Sequence, residues 1–128
     1  MKIIALGAVM AGIGVALGAF GAHGLKARVT PEMLTIYETG VTYQFYHSFA
    51  LIALGLVALR AGDQGVMATA VAFFVGILVF SGSLYLLVLT DTRWLGAITP
   101  LGGLSFLVGW GLFARLAWQG AKNLAGID

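Results

Sequence analysis

Two side chains in this sequence carry an imidazole, His23 and His47, and there is no cysteine. Imidazole is the common ligand for haem iron and for many metal ions, and it is the side chain whose charge changes near neutral pH. A histidine pair therefore raises the prospect of a bis-histidine haem or a metal centre. The surrounding residues do not develop it. A metal site needs further ligands and a supporting partner for each imidazole, and neither histidine sits in such a pattern. There is no HExxH, no GxSxG, and no pair of carboxylates inside an apolar stretch. No serine and acid accompany the histidines in triad order. No catalytic residue, metal ligand set or cofactor is expected.

His47 is nevertheless in polar company. Tyr43, Gln44 and His47 follow Gly40 at the i, i+3, i+4, i+7 spacing that puts residues on one helix face, and Leu51 and Leu54 continue that face. Glu38 and Phe45 fall nearly opposite. What such a helix can do depends on where it runs, and the composition settles that. Of the 128 residues, 60% are hydrophobic and 9% are charged, whereas a soluble domain is about a quarter charged. Too few charges are present to coat a water-facing surface, and disorder is excluded on the same grounds. Without cysteine, disulfides and thiolate chemistry are excluded as well.

The charges are grouped. Between the groups lie four charge-free windows, 3–25, 39–59, 64–90 and 94–114. A helix rises ~1.5 Å per residue, so ~20 residues cross a ~30 Å hydrocarbon core. Each window is long enough, and none obliges a charge to enter the bilayer, where it would cost at least ~2.5–3.5 kcal/mol. The expectation is an all-α integral membrane four-helix bundle, one domain over 1–128. Its spans lie near 3–22, 40–59, 66–89 and 98–118. The ~10-residue alternating strands of a β-barrel are not seen. The run Ile3 to Ala22 is longer than the apolar core of a secretory signal, and it reads as the first span.

Four spans place both termini on one side. That side, with the loop over 60–65, carries Lys2, Arg60, Arg115 and Lys122; the other carries Lys26, Arg28 and Arg93. Four basic residues against three lean towards cytoplasmic termini. Seven dispersed basic residues make no nucleic-acid surface.

In the first span Gly7, Ala11, Gly14, Gly18 and Gly21 recur about every 3.5 residues, a small-residue stripe suited to close helix packing in lipid. Thr30-Pro31 reads as an N-cap followed by proline at the first helical position, with Glu32 in the first turn. Residues 31–38 then form an amphipathic, interfacial start to the second helix, with Met33, Ile36 and Tyr37 on its apolar side. Thr99-Pro100 repeats the signal ahead of the fourth span. Trp94, Tyr43 and Tyr46 at one end and Trp118 at the other suit aromatic belts.

The purely apolar part of the second span, Phe49 to Leu59, has 11 residues and covers ~16 Å. To cross, the helix must take in about nine residues before it. Gln44 then lies ~6 Å and His47 ~11 Å below the surface, counting ~1.5 Å per residue from Gly40. Polar groups at that depth turn towards the bundle interior. The third span adds Ser81, Ser83, Tyr85 and Thr90 in the same half, the fourth adds Thr99 and Ser105, and the first ends there at His23. The expectation is a bundle polar at one end and apolar at the other. A polar pocket of His47, Gln44, Tyr43, His23, Ser83 and Tyr85 would open towards loops 1 and 3. The plainer reading of Gln44 and His47 is a hydrogen-bonded pair that fixes packing, of His23 an interfacial helix-end residue, and of Asp91 and Arg93 a solvated loop pair.

Four long segments carry a family resemblance: Ala16-Leu17-Gly18-Ala19-Phe20-Gly21-Ala22-His23-Gly24-Leu25; Tyr37-Glu38-Thr39-Gly40-Val41-Thr42-Tyr43-Gln44-Phe45-Tyr46-His47; Gly82-Ser83-Leu84-Tyr85; and Trp94-Leu95-Gly96-Ala97-Ile98-Thr99-Pro100-Leu101-Gly102-Gly103. Over nearly the whole chain the sequence resembles the YgdD-like family of small bacterial membrane proteins, domain of unknown function 423, relatives of the eukaryotic transmembrane protein 256. The resemblance implies four helices in a bacterial inner membrane and no established activity, so it transfers no catalytic residue.

Three functions fit these expectations. The first is a binding or transport module whose polar end holds a small polar ligand, an ion or a lipid headgroup. The second is a structural or assembly protein whose glycine-rich faces dock other membrane helices, as a homo-oligomer or with a membrane-protein partner. The weakest is a membrane enzyme or redox carrier using the histidines. The lipid bilayer itself is the one partner all three require.

Overall fold

The computed structural model of the chain describes residues 1–61 and 65–125, without the side chains of 60, 61 and 123–125. The Arg60 side chain, one of the four basic residues assigned to the side of the termini, lies outside the described residues. Regular structure among the described residues is entirely helical, and four helical stretches are long and apolar enough to cross a membrane: Lys2–Leu25, Pro31–Leu59, Val66–Thr90 and Arg93–Lys122.

The first span is α1 (Lys2–Phe20) followed by a π turn over Gly21–Leu25. The second is α2, a single helix over Pro31–Ala61. Its start is capped as the sequence suggests: the Thr30 hydroxyl accepts the Met33 N–H at 3.3 Å. The amphipathic segment runs into the span without a break at Gly40, so Glu38 is exposed while His47 is buried. The third span is α3 (Val66–Gly76), a π turn over Ile77–Ser81, and α4 (Gly82–Thr90). A π turn holds one residue more than an α turn and so rotates the face presented to neighbours. Here it lets Ser81 reach across to α2. Asp91 ends α4 in the left-handed region at φ 50°, which turns the chain into a short 3-10 segment over Arg93–Ala97. The fourth span then continues as α5 (Thr99–Ala125), starting at the threonine-proline signal.

α2 is the hub. α1 lies along one side of it, the third span packs on another, and α5 packs chiefly on the third span. The small-residue stripe of α1 faces α2. A Cβ on Gly7 would stand 2.7 Å from the Ser48 carbonyl oxygen, one on Gly14 3.3 Å from the Phe45 ring, and one on Gly21 2.8 Å from the Tyr37 ring. Gly102 of α5 abuts the backbone of Phe80, with no room for a Cβ between them.

Two apolar clusters hold the bundle. One, at the end bearing the termini, contains Met10, Leu51, Leu54, Val66, Ala70, Phe73, Ile77 and Phe106. The other, at the end bearing loops 1 and 3, contains Leu25, Met33, Tyr37, Leu87 and Val88. This corrects the expected polarity. The loop end is not polar through its section; a polar layer lies between two apolar ones. The reason is the amphipathic start of α2, which buries Met33 and Tyr37 against the ends of the first and third spans.

Candidate functional site: an interfacial cavity above a closed polar layer

The polar layer is built by side chains reaching between helices. Gln44 is buried; its amide nitrogen donates to the Met10 carbonyl of α1 at 2.8 Å, and its oxygen accepts from the Tyr85 hydroxyl of α4 at 2.8 Å. One residue thus ties three spans together. Ser81 donates to the Gly40 carbonyl at 2.7 Å, and the Ser83 and Thr99 hydroxyls meet at 2.7 Å between the third and fourth spans. Tyr37 donates to the Leu17 carbonyl at 2.9 Å, and Ser105 to the Ala72 carbonyl at 2.7 Å.

His47 joins α2 to α5. Its Nδ1 lies 2.7 Å from the Tyr43 carbonyl, and its Nε2 lies 3.2 Å from the indole nitrogen of Trp110. A carbonyl only accepts and an indole N–H only donates. The pair therefore fixes the tautomer: Nδ1 carries the proton, Nε2 accepts, and the ring is neutral. The ring also lies flat on Phe106, with centroids 3.3 Å apart and planes 6° apart. Both nitrogens are occupied by protein, so iron or another metal could bind here only by breaking one of these bonds. Among the described residues, no buried side-chain nitrogen or oxygen lacks a partner.

The six residues expected to form one pocket are not brought together around a space. Gln44, Tyr85 and Ser83 bond to protein within the layer. Tyr43 and His47 line a separate cleft of about 350 Å³ on the flank of the bundle, with Tyr46, Gly103, Phe106, Leu107 and Trp110. Tyr43 is 38% exposed there. His23 is exposed in the π turn that ends the first span. It stands two residues past Gly21, which meets Tyr37, and Tyr37 precedes His47 by ten residues, ~15 Å along α2. The two histidines cannot share an iron or a metal ion. Of the six, Tyr43 and His47 share a cleft while Gln44, Tyr85 and Ser83 bond to protein, and sequence does not show which partner each will find.

A cavity does open towards loops 1 and 3, higher up and with other walls. It has a volume of about 610 Å³. Its polar wall is Arg28, Thr30, Thr90, Asp91 and Arg93; its apolar wall is Phe20, Leu25, Val29, Met33, Val88 and Leu89. The N-terminus of α2, with its partial positive charge, faces it through Thr30 and Met33. The C-terminal end of α4 forms the opposite side. From sequence, Asp91 and Arg93 read as a solvated loop pair and Arg28 entered only the charge balance between the two sides. The signal that they share a site was the clustering of three basic residues and one acid in the two loops at the same end.

Comparison with known proteins places this architecture. The chain matches the family described as "Protein of unknown function (DUF423)" over residues 17–103. It belongs to the DUF423 family. Among relatives, it is 46% identical over 113 residues to a UPF0382 membrane protein of Staphylococcus saprophyticus, covering 86% of this chain and 92% of that one. It is 46% identical over 112 residues to the UPF0382 membrane protein YwdK of Bacillus subtilis, covering 86% and 91%. A UPF0382 membrane protein of Staphylococcus epidermidis is 47% identical over 111 residues, covering 86% and 90%. No solved structure matches. The DUF423 protein is thus a multi-pass protein of the bacterial plasma membrane, of uncharacterised function. The segment matching the family holds every residue that lines the cavity, from Phe20 to Arg93.

Proposed function

We propose that this protein is a membrane binding module whose ligand site is the cavity at the loop 1 and loop 3 end, where it takes a small polar, negatively charged group at the membrane surface. The observation that carries this reading is the contrast between two places. Every buried polar side-chain atom of the Gln44–His47 layer has a protein partner, whereas the cavity is lined by two exposed residues that carry guanidinium groups, Arg28 and Arg93. Guanidinium is suited to oxyanions because its planar fork offers paired donors. The buried layer then serves as the frame that holds the first three spans in register beneath the site.

The docking alternative finds less to use. The glycines Gly7, Gly14, Gly18 and Gly21 are taken up by α2, so docking would fall to glycines such as Gly12, Gly82 and Gly111, which face open space.

The test is a thermal-shift screen of soluble anions and lipids on the purified full chain. The variants are Leu89→Trp, which fills the cavity from its lipid-facing wall, and His47→Ala. Ligands are expected to raise the melting temperature of the wild type and of His47→Ala, whose baseline is lowered, but not of Leu89→Trp. A ligand shift that survives in Leu89→Trp and disappears in His47→Ala would move the site to the polar layer and reject the proposal.

A further inference from the structure

We infer that the occupant is a whole phospholipid carrying one net negative charge, its phosphodiester held between Arg28 and Arg93 and its acyl chains leaving sideways into the bilayer. The inference rests on the cavity being the ligand site.

Three features select this ligand. The first is charge: Arg28 and Arg93 against Asp91 give the wall a formal charge of +1, which complements a single phosphodiester. The partial charges of the two helix ends, positive at α2 and negative at α4, oppose each other and leave that balance in place. The second is the wall itself. Phe20 and Leu89 line the cavity and are 42% and 52% exposed, so its apolar wall is open at the surface of the bundle. The cavity is therefore continuous with the acyl-chain region, and a free anion would leave that apolar half unused. The third is depth. The second span, Pro31–Leu59, has 29 residues and is ~43 Å long, well beyond a ~30 Å hydrocarbon core. Its first turns stand at the level of phosphates and glycerol esters. A polyol headgroup could donate hydroxyl hydrogen bonds to Asp91 there, whereas a trimethylammonium group has no O–H or N–H to donate.

The experiment measures lipid retention by native mass spectrometry of the full chain released from detergent. Phosphatidylglycerol and phosphatidylcholine of identical acyl chains are compared, with inorganic phosphate and glycerol 3-phosphate as soluble arms. The variants are Arg28→Gln, Arg93→Gln and, as a control, Lys26→Gln, an exposed basic residue of the same loop that does not line the cavity. Melting without lipid checks that each variant folds, and all three positions are exposed.

The expected result is preferential retention of phosphatidylglycerol, weakened about fivefold or more by each arginine change, on the scale of one basic residue at a membrane surface. Lys26→Gln should leave it unchanged. Equal loss in Lys26→Gln would reduce the effect to general surface charge and overturn the inference. Equal retention of both lipids would overturn the charge selection while leaving the cavity as a lipid site. Binding of the soluble phosphates with no lipid preference would overturn the lipid and keep the cavity. Failure of every arm would remove the cavity reading as well.

Discussion

Gln44 shows what a single polar residue does in this bundle. Its amide is donor to α1 and acceptor from α4 at once. Gln44→Leu keeps the volume but leaves the Tyr85 hydroxyl without its acceptor in a water-poor interior. We expect a loss of about 1–3 kcal/mol, read as a lower melting temperature in detergent. Gln44→Glu is expected to be worse, because it exchanges the donor to Met10 for a buried charge. His47 makes a sharper prediction. Its two partners permit a single tautomer, so nitrogen NMR of selectively labelled histidine should report a neutral ring protonated at Nδ1. A ring protonated at Nε2 would contradict the Trp110 contact, since two N–H groups would then face each other.

Among the elements, the glycines divide by what they face. Gly102 meets the Phe80 backbone, which cannot move aside as a flexible side chain would, so Gly102→Ala should separate the third and fourth spans and lower stability by more than about 2 kcal/mol. Gly12 sits on the same helix as the packed stripe but faces open space. Gly12→Ala should be neutral or stabilising by up to about 1 kcal/mol, through lower backbone entropy in the unfolded chain and better helix propensity. Thermal melting of the two variants side by side checks the pair. This division also marks how far sequence reached. The four spans, the Thr30 cap and the inward turn of Gln44 and His47 were legible, because charge spacing and helical periodicity are local properties of the chain. The π turn at Ile77–Ser81 was not, since the glycines that flank it, Gly76 and Gly82, also suit close packing in an unbroken helix, and its tie from Ser81 to Gly40 spans 41 residues. Trp110 as the partner of His47 was equally hidden, 63 residues away. The cavity depends on how two loops converge, which no periodicity encodes.

At the scale of the whole molecule, the bundle stands asymmetrically about the hydrocarbon layer. The first turns of α2 and the 3-10 segment Arg93–Ala97 extend beyond ~20 apolar residues of their spans, and both lie at the end that carries the cavity. That end must therefore meet water or headgroups, while Phe49 and Leu107, both exposed on the bundle, face acyl chains. The natural absence of cysteine makes this directly measurable, because each introduced thiol is the sole thiol in the chain. Glu32→Cys and Trp94→Cys should react with a membrane-impermeant maleimide from the same side of the membrane, and Lys122→Cys from the opposite side. Phe49→Cys and Leu107→Cys should stay unlabelled until detergent is added. With the termini cytoplasmic, as the basic residues suggest, Glu32→Cys and Trp94→Cys label in intact cells. The reverse pattern would set the cavity in the cytoplasmic leaflet and leave the fold intact. Labelling of Glu32→Cys and Trp94→Cys from different sides would break the four-span arrangement, because loops 1 and 3 could then form no common wall.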